Sequence, residues 1–333
     1  LPSHLLQFAE DKKPVVVWNM TKACNLKCAH CYALATAGPG PDELTFAEAQ
    51  AMIDDLAAYG SPVILFSGGE PLMRPDLPDL ARYAVGKGMR AVISTNGTLI
   101  TADKAQELKD IGLSYVGVSL DGLPAVHDKF RGVEGAFDQA LAGIRNCLRV
   151  GLKVGLRFTV FRHNAAEVPG VLDLLEKEGI PRVCFYHLVY AGRGSRLMDE
   201  DLDHAGTRAL LDLIMDRTKA MFDKGQCPEV LTVDNHADGP YVYLRLLRED
   251  PERAAQVLEL LQILGAEGVS GNVLAAHAGH RGGAEAAEHV RDAPHDEAQG
   301  EHHEEDLRDP AGGAFAQSLK CHRPFFDCGE GGA

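Results

Sequence analysis

Cys24-Asn25-Leu26-Lys27-Cys28-Ala29-His30-Cys31 sets three thiols four and three residues apart, just after the apolar run Val15-Val16-Val17-Trp18. Thiolates at this spacing can hold three corners of a four-iron, four-sulfur cube, which ordinarily takes four cysteines. An iron left without a protein ligand stays open to a substrate, just as open catalytic zinc sites differ from closed structural ones. Zinc is the competing reading. It needs a fourth ligand, and His30, as the neighbour of Cys31, is badly placed to share one tetrahedral ion; a ligand from elsewhere in the chain keeps that reading open.

The chain around this loop has 333 residues, 45% of them apolar, enough for a large core or two domains. A net charge of −15 argues against general nucleic-acid or membrane-surface binding. Residues 1–14 are mixed polar and the following apolar run is short, so no signal peptide is expected, and no stretch approaches a membrane span. The sequence opens on Leu1 rather than Met, from which a few missing amino-terminal residues are expected. Eight cysteines, three of them clustered, fit metal chemistry in a reducing cytoplasm better than a disulfide frame. Cys147, Cys184 and Cys227 read as buried structural thiols.

From Val15 to about Val189 strand and helix signals alternate. Apolar, β-branched runs fall at Val15–Trp18, Val63–Phe66, Arg90–Ser94, Tyr115–Leu120, Val154–Val160 and Val183–Val189. Helical periodicity predicts helices over Phe46–Tyr59, Leu77–Gly86, Ala102–Ile111, Phe137–Val150 and Glu167–Glu178. Thr45 and Glu48 form a capping-box pattern, Pro75-Asp76 and Thr101 are start signals, and Gly60, Gly112, Gly151 and Gly179 stand where helices should stop. The fold class expected is α/β: a partial (β/α)6 barrel with a carboxyl-terminal extension. Such barrels gather chemistry at the carboxyl ends of strands. There the sequence places the cysteine loop, Ser67-Gly68-Gly69-Glu70-Pro71, Ser94-Thr95-Asn96-Gly97 and Ser119-Leu120-Asp121-Gly122. Each alone reads as a turn, but four polar loops on one rim do not.

The cysteine loop and Gly68-Gly69-Glu70, each at the end of its strand, resemble the radical S-adenosylmethionine (SAM) enzymes over roughly residues 14–225. The resemblance implies that Cys24, Cys28 and Cys31 ligate a [4Fe-4S] cluster whose open iron chelates the methionine part of SAM. It implies that Gly68 and Gly69 let the backbone approach that part closely and that Glu70 or nearby carbonyls accept from its ammonium. Ser119 and Arg131 match positions that hold the SAM carboxylate, Asn96 and Asp121 would face the ribose or methionine, and Leu188 the adenine. An electron entering the cluster would split SAM, and a 5′-deoxyadenosyl radical would take hydrogen from the substrate.

Further stretches narrow the branch. Val15 to Thr21, Tyr186 to Gly194 and Thr232 to Tyr241, the last preceding a helix expected over about Val242 to Gln262, resemble the heme-biosynthesis branch of that family. The resemblance implies an iron-tetrapyrrole substrate losing two acetate side chains, with heme d1-type propionate loss and peptide modification as the alternatives. A non-catalytic iron–sulfur or zinc protein is the alternative of a different class. A reduced ferredoxin or flavodoxin is the implied electron donor. Arg157, Arg162, His163, Arg193 and Arg196 are candidate anchors for substrate carboxylates, and His236 a candidate iron ligand or proton donor.

The expected organisation is a lead over 1–13, a barrel over 14–225, a helical extension over 226–262 and an anomalous tail over 263–333. Residues 263–320 carry six of 14 histidines and eleven acidic against four basic residues, without sustained periodicity. Relatives in this branch carry a second, auxiliary cluster there; Cys321 and Cys328 are too few for one. A disordered acidic tail and loose metal binding are the other readings of a stretch best explained by a frameshift near codon 263.

Overall fold

The structure, a computed structural model, describes residues 13–264. Seven parallel strands run in chain order across one sheet: β1 (Val16–Asn19), β2 (Val63–Ser67), β3 (Arg90–Thr95), β4 (Tyr115–Ser119), β5 (Val154–Thr159), β6 (Arg182–Tyr186) and β7 (Glu229–Val233). β1 and β7 form its two edges. Three predicted helices, α1 (Phe46–Tyr59), α2 (Leu77–Gly86) and α3 (Ala102–Ile111), have the bounds read from sequence. Thr45 accepts from the Glu48 backbone while Glu48 returns a 2.8 Å bond to Thr45 N, and Gly60, Gly112 and Gly179 close helices in the left-handed conformation. Further on come α4 (Pro124–Arg131), α5 (Ala136–Arg149), α6 (Val168–Glu178) and α7 (His204–Asp223).

The barrel architecture stands, with one strand more than the six expected. β7 reads poorly because Glu229 to Val233 is short and follows Pro228; the free edge of β6 makes it a strand. The single helix expected near Val242 to Gln262 is two, α8 (Asp238–Glu249) and α9 (Pro251–Leu264). Pro251 has no N–H to continue the first, and Asp250 caps the second through Arg253 N at 3.1 Å. Cys147 and Cys184 are buried as expected, whereas Cys227 is exposed. The anomalous tail, with Cys321 and Cys328, lies outside the described residues apart from the end of α9.

Alternation decides which side chains enter the barrel. Ile64, Phe66, Ile93, Val116, Val118, Leu156, Phe158 and Phe185 join Leu80, Leu108 and Ile144 of the helices in the main core. The opposite face carries Tyr115, Ser119, Arg157, Thr159, Arg182, Cys184 and Tyr186. Gly117 and Gly155 make room among them: a Cβ at Gly117 would lie 2.7 Å from Arg157 Cδ, and one at Gly155 would strike the Tyr115 hydroxyl.

Candidate functional site

The cysteine loop leaves β1 and is fastened on three sides. On the first, Gly69 N donates to Thr21 O and Glu70 N to Ala23 O, both at 2.7 Å. On the second, Lys27 N and Ala29 N donate to Arg131 O and Phe130 O at the end of α4, at 3.0 and 3.1 Å. On the third, Arg193 N donates to Cys31 O, Arg193 Nε to Cys28 O at 2.9 Å and Nη1 to Ala35 O at 3.0 Å.

The two glycines after β2 owe their identity to this fastening. A Cβ on Gly69 would stand 2.7 Å from Lys22 O and closer still to Ala23 O; one on Gly68, whose φ is +129°, would strike Thr21 O. They serve the cysteine loop's close approach, which the reading through SAM's methionine had not anticipated. Glu70 is fully buried and accepts from Thr95 Oγ1 (2.7 Å), Asn96 N (2.8 Å) and Leu72 N (3.0 Å). Its carboxylate joins β2 to β3. Burial raises its pKa despite those bonds.

Asn96 donates to Asn25 Oδ1 at 2.8 Å and accepts from Thr98, beside Cys24 Sγ at 4.0 Å. Asp121, fully buried, accepts from Thr159 N at 2.9 Å and pairs with Arg131, which also donates to Cys28 Sγ at 3.4 Å. Burial opposes the Asp121 charge, yet Arg131 and His30 hold its carboxyl below the ordinary range. Asp121 therefore positions Arg131. Ser119 sits half-buried at the end of β4 with no side-chain hydrogen bond among the described residues. Leu188 is buried and belongs to none of the apolar clusters.

The thiols suit iron–sulfur ligation. Cys24, Cys28 and Cys31 share a small apolar cluster with Leu26 and Ala136. Each sulfur accepts an N–H at 3.4 Å: Cys24 from Leu26 N, Cys31 from Ala35 N, Cys28 from Arg131 Nη1. Such donors favour a thiolate and tune a cluster. Among the described residues, His30 Nδ1, Arg131 Nε and Arg193 Nη2 are buried around the loop without a partner. Among the described residues no three His, Cys, Asp or Glu side chains converge to hold one metal ion. A cube, unlike zinc, takes one thiolate per iron and spreads them. Burial pushes the unligated Cys24 thiol up to about 11, with Cys28, Glu70 and Cys31 adding to it.

The sequence matches the Radical SAM superfamily over residues 18–175. The chain belongs to the radical SAM superfamily. It is 64% identical over 263 residues to the Fe-coproporphyrin III synthase of Methanosarcina barkeri, covering 79% of this chain and 66% of that protein. To the pre-heme d1 synthase of Dinoroseobacter shibae it is 44% identical over 257 residues, covering 77% and 63%. The chain thus spans less than two thirds of the length of these curated relatives. Among solved structures, Streptococcus suis SuiB bound to S-adenosylmethionine superposes with a TM-score of 0.59 at 17% identity, covering 68% of this chain and 52% of that one. anSMEcpe with bound AdoMet gives 0.56 at 18%, covering 65% and 64%. At such identities these show the radical SAM fold alone.

The remaining candidates divide. Arg157 lies on the inner barrel face with its guanidinium 4.5 Å over the Tyr186 ring, and no side-chain hydrogen bond or ion pair engages it among the described residues. Burial disfavours its charge, but Tyr186, Cys184 and Tyr115 outweigh that and raise its pKa. Two guanidinium nitrogens of Arg193 hold the cysteine loop rather than standing free at the rim. Arg162 donates to Asp201 O at 3.2 Å, His163 meets Glu200 at 2.9 Å, and Arg196 is exposed. His236 is exposed and bonded to neither Asp234 nor Asp238; Asp238 instead meets His187 at 2.8 Å. Sequence reading passed over His187 because only folding brings it to Asp238, 51 residues away.

Proposed function

We propose that this chain is a radical SAM enzyme of heme biosynthesis that removes two acetate side chains from 12,18-didecarboxysiroheme, giving Fe-coproporphyrin III. The observation that carries the reading is a guanidinium without an ion pair among the described residues, Arg157, on the inner face of a barrel whose rim bears the three-thiol loop, in a chain 64% identical to an Fe-coproporphyrin III synthase. A tetrapyrrole rich in carboxylates needs such a cation, because overall acidity offers it no long-range attraction.

Cys24, Cys28 and Cys31 would ligate the cluster as thiolates, so ligation would release their protons. When bound, the cluster and SAM supply reductive cleavage of a carbon–sulfur bond and hydrogen abstraction from the substrate. Ser119, without a side-chain hydrogen bond among the described residues, and carbonyls of the Gly68-Gly69 segment would meet the methionine part, with Arg131 held beside Cys28 by Asp121. Leu188 would lie against the adenine. Reduced ferredoxin or flavodoxin would deliver the electron, in an anaerobic cytoplasm.

Anaerobic incubation of the reconstituted protein with SAM, reductant and 12,18-didecarboxysiroheme, followed by mass analysis of the pigment, tests the proposal. Loss of two acetates is expected. An unchanged pigment beside 5′-deoxyadenosine would reject the substrate. The 44% identity to a pre-heme d1 synthase makes propionate loss the second reading, and the mass separates the two.

A further inference from the structure

A second group of polar side chains stands on the same rim, where β6 and β7 end. His187 directly follows β6 and its backbone N donates to Val233 O, the last residue of β7, at 3.0 Å. Its Nε2 lies 2.8 Å from Asp238 Oδ2. Asp238 is 1% exposed at the start of α8, and its Oδ1 has no partner among the described residues. A carboxylate fixed in this way locks the imidazole's orientation and leaves the other ring nitrogen free to act. The other ring nitrogen, Nδ1, makes no hydrogen bond with any described residue, while the side chain keeps 14% exposure.

Asp234 completes the group. It directly follows β7 with φ +69°, the left-handed conformation, which is uncommon outside glycine and marks functional sites when the fold enforces it. Among the described residues its carboxyl makes no side-chain hydrogen bond or ion pair, and Arg157, His187 and His236 are near enough to act on its charge. Burial is the larger influence and raises its pKa. Arg157, His187 and the Asp234 carboxyl therefore share one end of the barrel.

We propose that His187, oriented by Asp238 and flanked by Asp234, is the proton donor that completes loss of each acetate side chain; this rests on the deacetylase reading above. After hydrogen abstraction from the macrocycle, the bond from ring carbon to acetate methylene breaks. One of its electrons closes a ring double bond and the other leaves on a carboxymethyl radical. That radical takes one electron from the low-potential one-electron reductant and one proton from His187 Nδ1, forming acetate. The neutral imidazole regains a proton from Asp234 or water. Asp238 is a positioning residue.

The test compares wild type, His187→Gln and Asp238→Asn, each with cluster content verified, in anaerobic turnover of 12,18-didecarboxysiroheme. Acetate, 5′-deoxyadenosine and tetrapyrrole affinity are measured together. General acids contribute about 10²–10⁴-fold. Acetate formation in His187→Gln should fall at least about 100-fold while 5′-deoxyadenosine continues and affinity stays within about twofold; Asp238→Asn should fall roughly tenfold. Acetate within about threefold of wild type in His187→Gln overturns the proposal. So does parallel loss of affinity and 5′-deoxyadenosine, which marks a structural role. If His187→Gln does not fold, Asp238→Asn decides by the same criteria. A wild type that makes 5′-deoxyadenosine but no acetate rejects the deacetylase reading, and the inference with it.

Discussion

Replacing Gly69 with alanine asks whether the glycine pair exists to seat the cysteine loop. The added Cβ would stand 2.7 Å from Lys22 O and nearer to Ala23 O, where separations under 3.0 Å essentially never occur. Both obstacles are backbone, so no side chain can swing aside, and the segment must move by on the order of 1 Å. That movement breaks the 2.7 Å bonds from Gly69 N to Thr21 O and from Glu70 N to Ala23 O. At about 1 kcal/mol net each, plus the desolvation left uncompensated, the cost is roughly 2–4 kcal/mol. For a domain of this size that lowers Tm by roughly 5–15 °C. The same shift displaces Cys24 and should cut iron retained after anaerobic reconstitution. Gly86→Ala is the control: its Cβ meets nothing within 4 Å, so it should be neutral or slightly stabilising. Thermal melts and iron analysis read both variants. A Gly69→Ala protein that melts with wild type and holds full iron would refute the account.

Asp121→Asn strands the buried Arg131 and should cost about 3–5 kcal/mol near neutral pH. Because the Asp121 pKa is depressed in the folded state, its stabilisation is present above the ordinary Asp value near ~3.9 and is lost as pH falls through the lower folded value. The gap between wild type and variant should therefore narrow in acid, as denaturant melts across pH would show. Arg157→Gln removes a charge-assisted contact worth about 1.5–3 kcal/mol, weakening tetrapyrrole binding by roughly 10–150-fold while SAM cleavage persists. Titration of the pigment alongside a 5′-deoxyadenosine assay checks both halves. Arg193→Ala should lower cluster content before it touches pigment affinity, since its contacts run to Cys28 O and Ala35 O; full iron with weakened pigment binding would return it to the rim.

The helices most legible in sequence were those with local punctuation. Thr45 with Glu48, Thr101, Gly60 and Gly112 act within a turn of chain, which is why α1 and α3 have their predicted bounds. β7 and the break at Pro251 were harder. A five-residue strand is chosen by its neighbour, and a helical period running through proline conceals the stop. Roles for polar residues were least legible, because Glu70, Asp121 and Arg193 look alike in sequence whether they meet a ligand or a distant backbone.

The amino-acid sequence by itself determined the alternation of strand and helix, the thiol spacing and the rim on which chemistry collects, since all three follow from short-range periodicity and strand direction. Tertiary structure alone decided which of those polar groups are spent inside the protein and which stay available. Glu70, Asp121 and Arg193 are consumed by bonds across 25 to 165 residues, whereas Arg157 and Ser119 remain unengaged among the described residues. The reason is that a buried polar atom must be satisfied by whatever the fold brings beside it, and that neighbour is set by packing, not by chain order.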